Sequence, residues 1–442
     1  MWLCHWRGRL SPNNCRRSEA EKGSPCSKLQ GEPFSLHTRL QKVRREPDDS
    51  CAATSREKSM KYDFDRPVER RGTDSHKWQR YGGDVIPLWV ADMDFVSPEP
   101  IVEALHRRVD HRIFGYSRPE TDLARVIEER LKRLYDWEVS EEEIVFLPGV
   151  VPGLSLSFLV CTRPGDGVLV QPPVYFHFIN DPVLRGRVLN DPPLAAKGDT
   201  YEIDFDAFEA SITGRTRIFL LCNPHNPVGR VFTRAELTRI AEICLRRGVF
   251  ICSDEIHCDL LYPGHRHIPI ATLDPEVASI TITLMAPSKT FNIAGLGSGF
   301  AVIKNPEVRG LWNREGQGLV PHVNIMGHVA ALAAFTEGQE WLDQVLTYLE
   351  GNRDFLARYV AERLPGITMT RMEATYLAWL DCRRSAIPGN PSAYFLKAAK
   401  VALNDGAEFG RTGEGFVRLN FACPRRVLAE ALGRMEEALR RL

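Results

Sequence analysis

No stretch of this 442-residue chain approaches the roughly 20 apolar residues that a membrane helix needs; the longest candidate, Leu154 to Cys161, is short and carries serines. Net charge is lacking as well. The 57 basic and 57 acidic side chains cancel, which leaves no electrostatic reason to bind nucleic acid or an anionic membrane. Met1 to Leu10 has arginines but no apolar segment behind them, so no secretory signal is read there. The 11 cysteines are odd in number, and several, such as Cys222, Cys244 and Cys252, lie in apolar runs. That pattern fits reduced thiols in a cytoplasmic protein better than a disulfide framework. Internal repeats are also missing, which argues against a solenoid.

What is present falls into unequal parts. Residues 1–59 are rich in Arg, Ser, Pro and Cys and show neither helical nor strand periodicity. They are expected to be disordered, because they offer little apolar surface to offset the entropy of ordering. Either a regulatory or targeting tail, or translated sequence upstream of a start at Met60, would explain them; composition favours the second. From residue 100 the pattern alternates. Helices are expected over Glu99–Val109 and Asp122–Leu134, and strands over Glu143–Phe146, Gly167–Gln171, Arg217–Cys222, Val249–Cys252 and Ser279–Leu284. Thr233 with Glu236 forms a capping box that opens a helix to Arg247, ended by Gly248. Unbroken apolar strands between helices imply an α/β fold with a mostly parallel sheet covered on both faces. Beyond 325 long helices and the strands Tyr376–Leu380 and Phe416–Asn420 suggest a smaller α+β lobe. The expected organisation is a segment 60–95 joining the small lobe, a large domain over 96–325, and a small domain over 326–442.

In an open α/β sheet, ligands sit beyond the carboxyl ends of the strands. Four candidate groups fall at such ends: Gly149-Val150-Val151 after the first strand, Asn223 after the third, Asp254 after the fourth, and Lys289 after the fifth. Their arrival at one rim argues for a site more strongly than any one of them.

The sequence Ala286-Pro287-Ser288-Lys289-Thr290-Phe291-Asn292-Ile293-Ala294-Gly295-Leu296 resembles the Schiff-base lysine motif of fold-type I pyridoxal-phosphate (PLP) enzymes, the aspartate-aminotransferase-like fold. Leu221 to Gly229 and Ser253 to His257 resemble two further signatures of that class. Leu88 to Phe95, Phe114-Gly115-Tyr116, Thr375 to Asp381 and Gly413 to Pro424 are similar to one branch of it, the cystathionine β-lyase-like C–S lyases of MalY/PatB type. The resemblance spans residues 60–442. It implies that Lys289 holds PLP and moves the α-proton, that Asp254 faces the pyridine nitrogen, and that Asn223 meets the phenolic oxygen. It further implies that Tyr175 stacks on the ring, with His257 close by. Gly149, Val150, Val151 and Ser288 would then serve the phosphate, and Arg418 the substrate carboxylate. Tyr116 is implied to reach a neighbouring subunit's cofactor, hence a homodimer. Two departures stand out: Ala286 replaces a serine of many relatives, and His257 replaces the tyrosine of common aminotransferases.

Plainer readings compete at each position. Lys289 could be a loop lysine, Asn223-Pro224 an ordinary turn, Asp254 a helix cap with Glu255 a solvated neighbour, and Arg418 the partner of a small-lobe acid. Tyr175 and Tyr116 could be core aromatics. His257, Cys258, His265 and His267 do not match a usual zinc spacing. Gly295, Gly297 and Gly299 follow the lysine loop instead of linking a first strand to its helix, unlike a dinucleotide fingerprint. The expected reaction is α,β-elimination on L-cystathionine or a related cysteine S-conjugate. An aminotransferase is the alternative, and a regulatory binding protein that keeps the fold is a third reading.

Overall fold

The structure, a computed structural model, describes residues 61–117 and 121–442; the expectation for the prefix 1–59 lies outside them. Two helices, α1 (Glu99–Asp110) and α2 (Thr121–Tyr135), precede the main sheet. Its strands are β1 (Ile144–Leu147), β2 (Gly167–Leu169), β3 (Val188–Asn190), β4 (Thr216–Cys222), β5 (Phe250–Asp254), β6 (Thr281–Met285) and β7 (Gly299–Ile303), in the order β1-β7-β6-β5-β4-β2-β3. Pairing is parallel except around β7, which runs antiparallel to both β1 and β6.

β4 shows why the sheet is buried on both sides. Its side chains alternate, so Ile218, Leu220 and Cys222 enter one apolar cluster while Phe219 and Leu221 enter another. Helix α3 (Val150–Cys161) covers the first face and α4 (Arg234–Arg247) the second. The capping box at α4 forms: Thr233 Oγ1 accepts from the Glu236 amide at 3.2 Å, and Glu236 accepts from the Thr233 amide at 2.8 Å. Gly248 ends the helix at φ 64°, a left-handed position that costs glycine little.

Two strands of the main sheet were not expected. β7 begins inside the glycine cluster, where no strand was expected. At Gly299 a Cβ would stand 3.1 Å from the Met285 carbonyl oxygen and 3.2 Å from Ala286 Cβ, so the close approach to β6 favours a residue without one. The edge strand β3 has exposed or half-buried side chains and therefore no apolar run to announce it.

After β6 comes a short helix, α5 (Pro287–Thr290). Farther on, α6 (Ile325–Glu337) and the long α7 (Gln339–Arg363) lead to a second, antiparallel sheet. Its strands β8 (Thr368–Met369), β9 (Leu377–Asp381), β10 (Asn404–Asp405) and β11 (Phe416–Asn420) are ordered β8-β9-β11-β10. The first described segment packs on this sheet and its helices. Ile86–Pro87 pairs in parallel with Val401–Ala402, and Phe64, Leu88, Met93 and Phe95 share an apolar cluster with Trp341, Leu377 and Leu419. Among the described residues, no helix is long and apolar enough to cross a membrane.

Candidate active site

The parallel strands β4, β5 and β6 all end at one rim, and β1 joins them there because β7 reverses between it and β6. Asp254 closes β5 and is buried. Among the described residues, its Oδ1 accepts only from the Ile256 amide, at 3.1 Å. Burial pushes this carboxyl up to about 7, against the pull of the Ile256 N–H; the Glu255 charge adds to the rise and Lys289 opposes it. Among the described residues no salt bridge reaches this buried carboxyl, and a bound cation beside it would favour its charged form. Asn223 follows β4, and its backbone amide donates to the Asp254 carbonyl at 3.0 Å. Its Oδ1 accepts from the Phe232 amide at 3.1 Å, while its Nδ2 is buried without an acceptor. Such an orphan donor is costly and calls for a bound partner.

Lys289 lies on α5, which Pro287 opens at its first position. Its Nζ donates to the Ala91 carbonyl at 2.6 Å. Loss of hydration lowers this amine to about 8; nearby Arg418 acts in the same direction, and Asp92 and Asp254 act against it. A larger share of neutral amine results, which is what a nucleophilic lysine requires. The aromatic ring beside the site is Tyr175, half-buried at the start of the helix Phe176–Leu184. Its backbone amide donates to the Asn226 carbonyl at 3.1 Å, and the Phe176 ring centroid lies 4.6 Å from its own. Burial raises the Tyr175 hydroxyl to about 12.

Arg418, in the middle of β11, is buried. Its Nη1 donates to Asn226 Oδ1 at 3.1 Å, and its Nη2 to the Trp89 carbonyl at 2.8 Å and Asn404 Oδ1 at 2.6 Å; its Nε has no acceptor. Among the described residues no carboxylate stands within ion-pair distance, so the expected alternative of a small-lobe acid as its partner is not realised. Burial lowers the guanidinium to about 10. His257 is buried too, with Nδ1 lacking a partner and its ring edge-on to Tyr376, 6.2 Å between centroids. Burial, then the charges of Lys289 and Arg418, push it down to about 3, so it is neutral.

Gly149 precedes α3 and caps it with no side chain, leaving the first-turn amides of Val150 and Val151 without a cap from the chain. Ser288 stands half-buried beside Lys289. Tyr116 is not brought to this site: it is fully exposed, with exposed Ile113 and Phe114 near it in sequence. The plainer reading of Glu255 as a solvated neighbour is not realised. The residue is fully buried, not solvated, because Ser253 Oγ donates to its Oε1 at 2.8 Å and His267 Nε2 lies 2.7 Å from its Oε2.

Sequence reasoning missed the loop that gathers these groups. In Trp89–Phe95 the Trp89 carbonyl takes Arg418, the Ala91 carbonyl takes Lys289 and also Tyr376 Oη at 3.1 Å, and the Val90 and Asp92 carbonyls take Asn420 Nδ2. Beneath it, Lys77 Nζ reaches Asp94 at 2.8 Å and Asp92 at 3.4 Å, and Arg70 binds the same two carboxylates at 2.6 and 2.7 Å. The Lys77 side chain is 0% exposed. The Leu88–Phe95 motif was visible, but main-chain acceptors leave no mark in a sequence.

The sequence profile of the aminotransferase class I and II family matches residues 83–435, and the chain belongs to that family. Within it, the chain is 40% identical over 387 residues to the cystathionine beta-lyase PatB of Bacillus subtilis (strain 168), covering 85% of this chain and 99% of that one. The crystal structure of OvoB is similar at 43% identity and a TM-score of 0.82, covering 86% and 99% of the two chains. Cystalysin from Treponema denticola, whose crystal structure contains a pyridoxal 5'-phosphate cofactor, is similar at 33% identity and a TM-score of 0.83, covering 86% and 100%.

Proposed function

We propose that this chain is a PLP-dependent C–S lyase that performs α,β-elimination on L-cystathionine or a related cysteine S-conjugate, releasing a thiol, pyruvate and ammonia. The observation that carries the reading is Arg418, a buried cation whose acceptors among the described residues are all neutral, close enough to Lys289 to depress its amine. A planar guanidinium in that state suits the carboxylate of an amino acid. The orphan Nδ2 of Asn223 and the poorly hydrated Asp254 fit the phenolic oxygen and the pyridinium nitrogen of PLP. When bound, PLP supplies a sink for the electron pair left at the substrate's α-carbon.

The chain's own groups do the rest. Lys289 would hold the cofactor and, once free, would take the substrate's α-proton; a placed base contributes on the order of 10²–10⁴-fold. The pair left at the α-carbon would form the Cα–Cβ double bond as the C–S bond breaks with its own pair going to sulfur, which takes up a proton to leave as thiol. Water would then hydrolyse the released enamine to pyruvate and ammonia. Asp254 would keep the ring nitrogen protonated, Asn223 would donate to the phenolic oxygen, and Tyr175 would stack on the ring with neutral His257 near it. The amides of Val150 and Val151, with Gly149 and Ser288, would receive the phosphate. Tyr116 completes the site of a second copy, so the working form is a homodimer with shared sites. The lobes of this reading are residues 96–325 and 326–442, with 60–95 joining the latter, and its compartment is the cytoplasm.

The test is pyruvate release from L-cystathionine by the PLP-loaded protein, with Lys289→Ala as control. Pyruvate and thiol formation, abolished in the variant, are expected. Exchange of amino groups with a 2-oxo acid, without pyruvate, would overturn the lyase in favour of an aminotransferase.

A further inference from the structure

The helix that carries Lys289 is only one turn long, Pro287–Thr290, closed by the Phe291 amide on the Pro287 carbonyl at 2.9 Å. A single turn has little stiffness of its own. Its orientation must therefore come from outside. On one side Asn292, at φ 57°, donates through Nδ2 to the Met93 and Phe95 carbonyls at 3.1 and 2.9 Å. On the other side stands Thr290, fully buried. A threonine in a helix usually turns its hydroxyl back to the preceding turn. Here Thr290 Oγ1 instead donates to Asp259 Oδ2 at 3.0 Å. Asp259 Oδ1 in turn accepts from Arg130 Nη2 at 2.5 Å, and the Arg130 guanidinium lies 5.1 Å from the centroid of the Phe335 ring on α6. Arg130 and Asp259 have side chains only 9% exposed each.

We infer that Asp259, braced by Arg130, is a positioning residue for Lys289 and acts through the Thr290 hydroxyl. Asp259 lies five residues beyond Asp254, in a loop held by the Glu255 amide on the Leu284 carbonyl at 2.9 Å and the Leu260 amide on the His257 carbonyl at 2.9 Å. One carboxylate thus ties the lysine's turn to the loop that leaves Asp254, and sets the spacing between the groups proposed to hold the two ends of the cofactor ring. Arg130 supplies the counter-charge that keeps this carboxylate in place. The inference rests on the PLP reading above.

The experiment follows capture of added PLP by the apoprotein of wild type, Thr290→Val and Thr290→Ser. Non-covalent binding is read by tryptophan quenching, and attachment to Lys289 by growth of the visible band and by borohydride trapping. Thr290→Val keeps the shape of the side chain and removes its hydroxyl. Attachment and kcat are expected to slow roughly 10- to 100-fold in this variant, as for a displaced reacting group. Non-covalent binding and KM should stay near wild type, the thermal midpoint should fall by no more than an unpaired Asp259 Oδ2 costs, and Thr290→Ser should restore both the rate and the midpoint. Wild-type attachment in Thr290→Val would overturn the inference, and so would a loss that Thr290→Ser does not restore. A wild-type protein that captures no PLP would overturn the parent reading, and this one with it.

Discussion

Arg418→Gln removes the positive charge from the centre of the site while leaving a side chain able to reach some of the same neutral groups. The wild-type guanidinium is buried, held by Asn226, Asn404 and the Trp89 carbonyl, and no carboxylate among the described residues competes for it. A substrate carboxylate docking there would form charge-assisted hydrogen bonds in a place with little water. Truncating one partner of such a buried pair costs about 2–5 kcal/mol, which corresponds to a fall in kcat/KM of roughly 30- to 4000-fold. The upper half of that range is expected, since the burial that lowers Arg418 to about 10 also denies the substrate carboxylate any substitute from solvent. Steady-state pyruvate formation from L-cystathionine measures the effect, and most of it should fall on KM. PLP capture, which Arg418 touches only by depressing the Lys289 amine, should match wild type on its high-pH plateau. A fall in kcat/KM of less than about 5-fold, worth under 1 kcal/mol, would refute the assignment; so would an equal loss in PLP capture.

Two further expectations concern charge. Lys289 is lowered to about 8, so it is mostly ammonium below that pH and mostly free amine above it. The rate of PLP capture by the apoprotein should therefore rise with pH, reach half its maximum near 8 and level off above; a rise continuing to about 10, as for an ordinary lysine, would contradict the burial argument. Lys77→Met leaves Asp92 and Asp94 with Arg70 as their remaining cation in a buried setting. Because Arg70 still pairs both carboxylates, unfolding by urea should show a loss of about 1–3 kcal/mol, and a loss under about 0.5 kcal/mol would mean that the carboxylates find water.

How far the sequence disclosed all this varied with the kind of interaction. Strands such as Thr216–Cys222 announce themselves because both faces are buried, and the capping box at Thr233 is a local pattern. Asn223, Asp254 and Lys289 could be placed at strand ends for the same reason. β7 could not, because its first residue is a glycine chosen for closeness to Ala286 and its reversal depends on partners far along the chain. Asn404 meets Arg418 only through the register of two antiparallel strands. Glu255 looked solvated because acids usually are; its burial depends on His267, twelve residues on. Lys77 was hidden likewise, in a polar segment whose carboxylate partners come 15 and 17 residues later.

The Trp89–Phe95 loop has a consequence for how this protein tolerates change. Its grip on Lys289 and Arg418 is made by carbonyl oxygens, which every amino acid possesses. Drift in the side chains of Val90 or Ala91 therefore leaves both acceptors where they are, provided the backbone path is kept. Inserting or deleting a single residue there would shift one acceptor relative to the other, since the two lie two positions apart. The loop is robust to spelling and brittle to length, and a library that varies length across it should lose activity far sooner than one that varies identity.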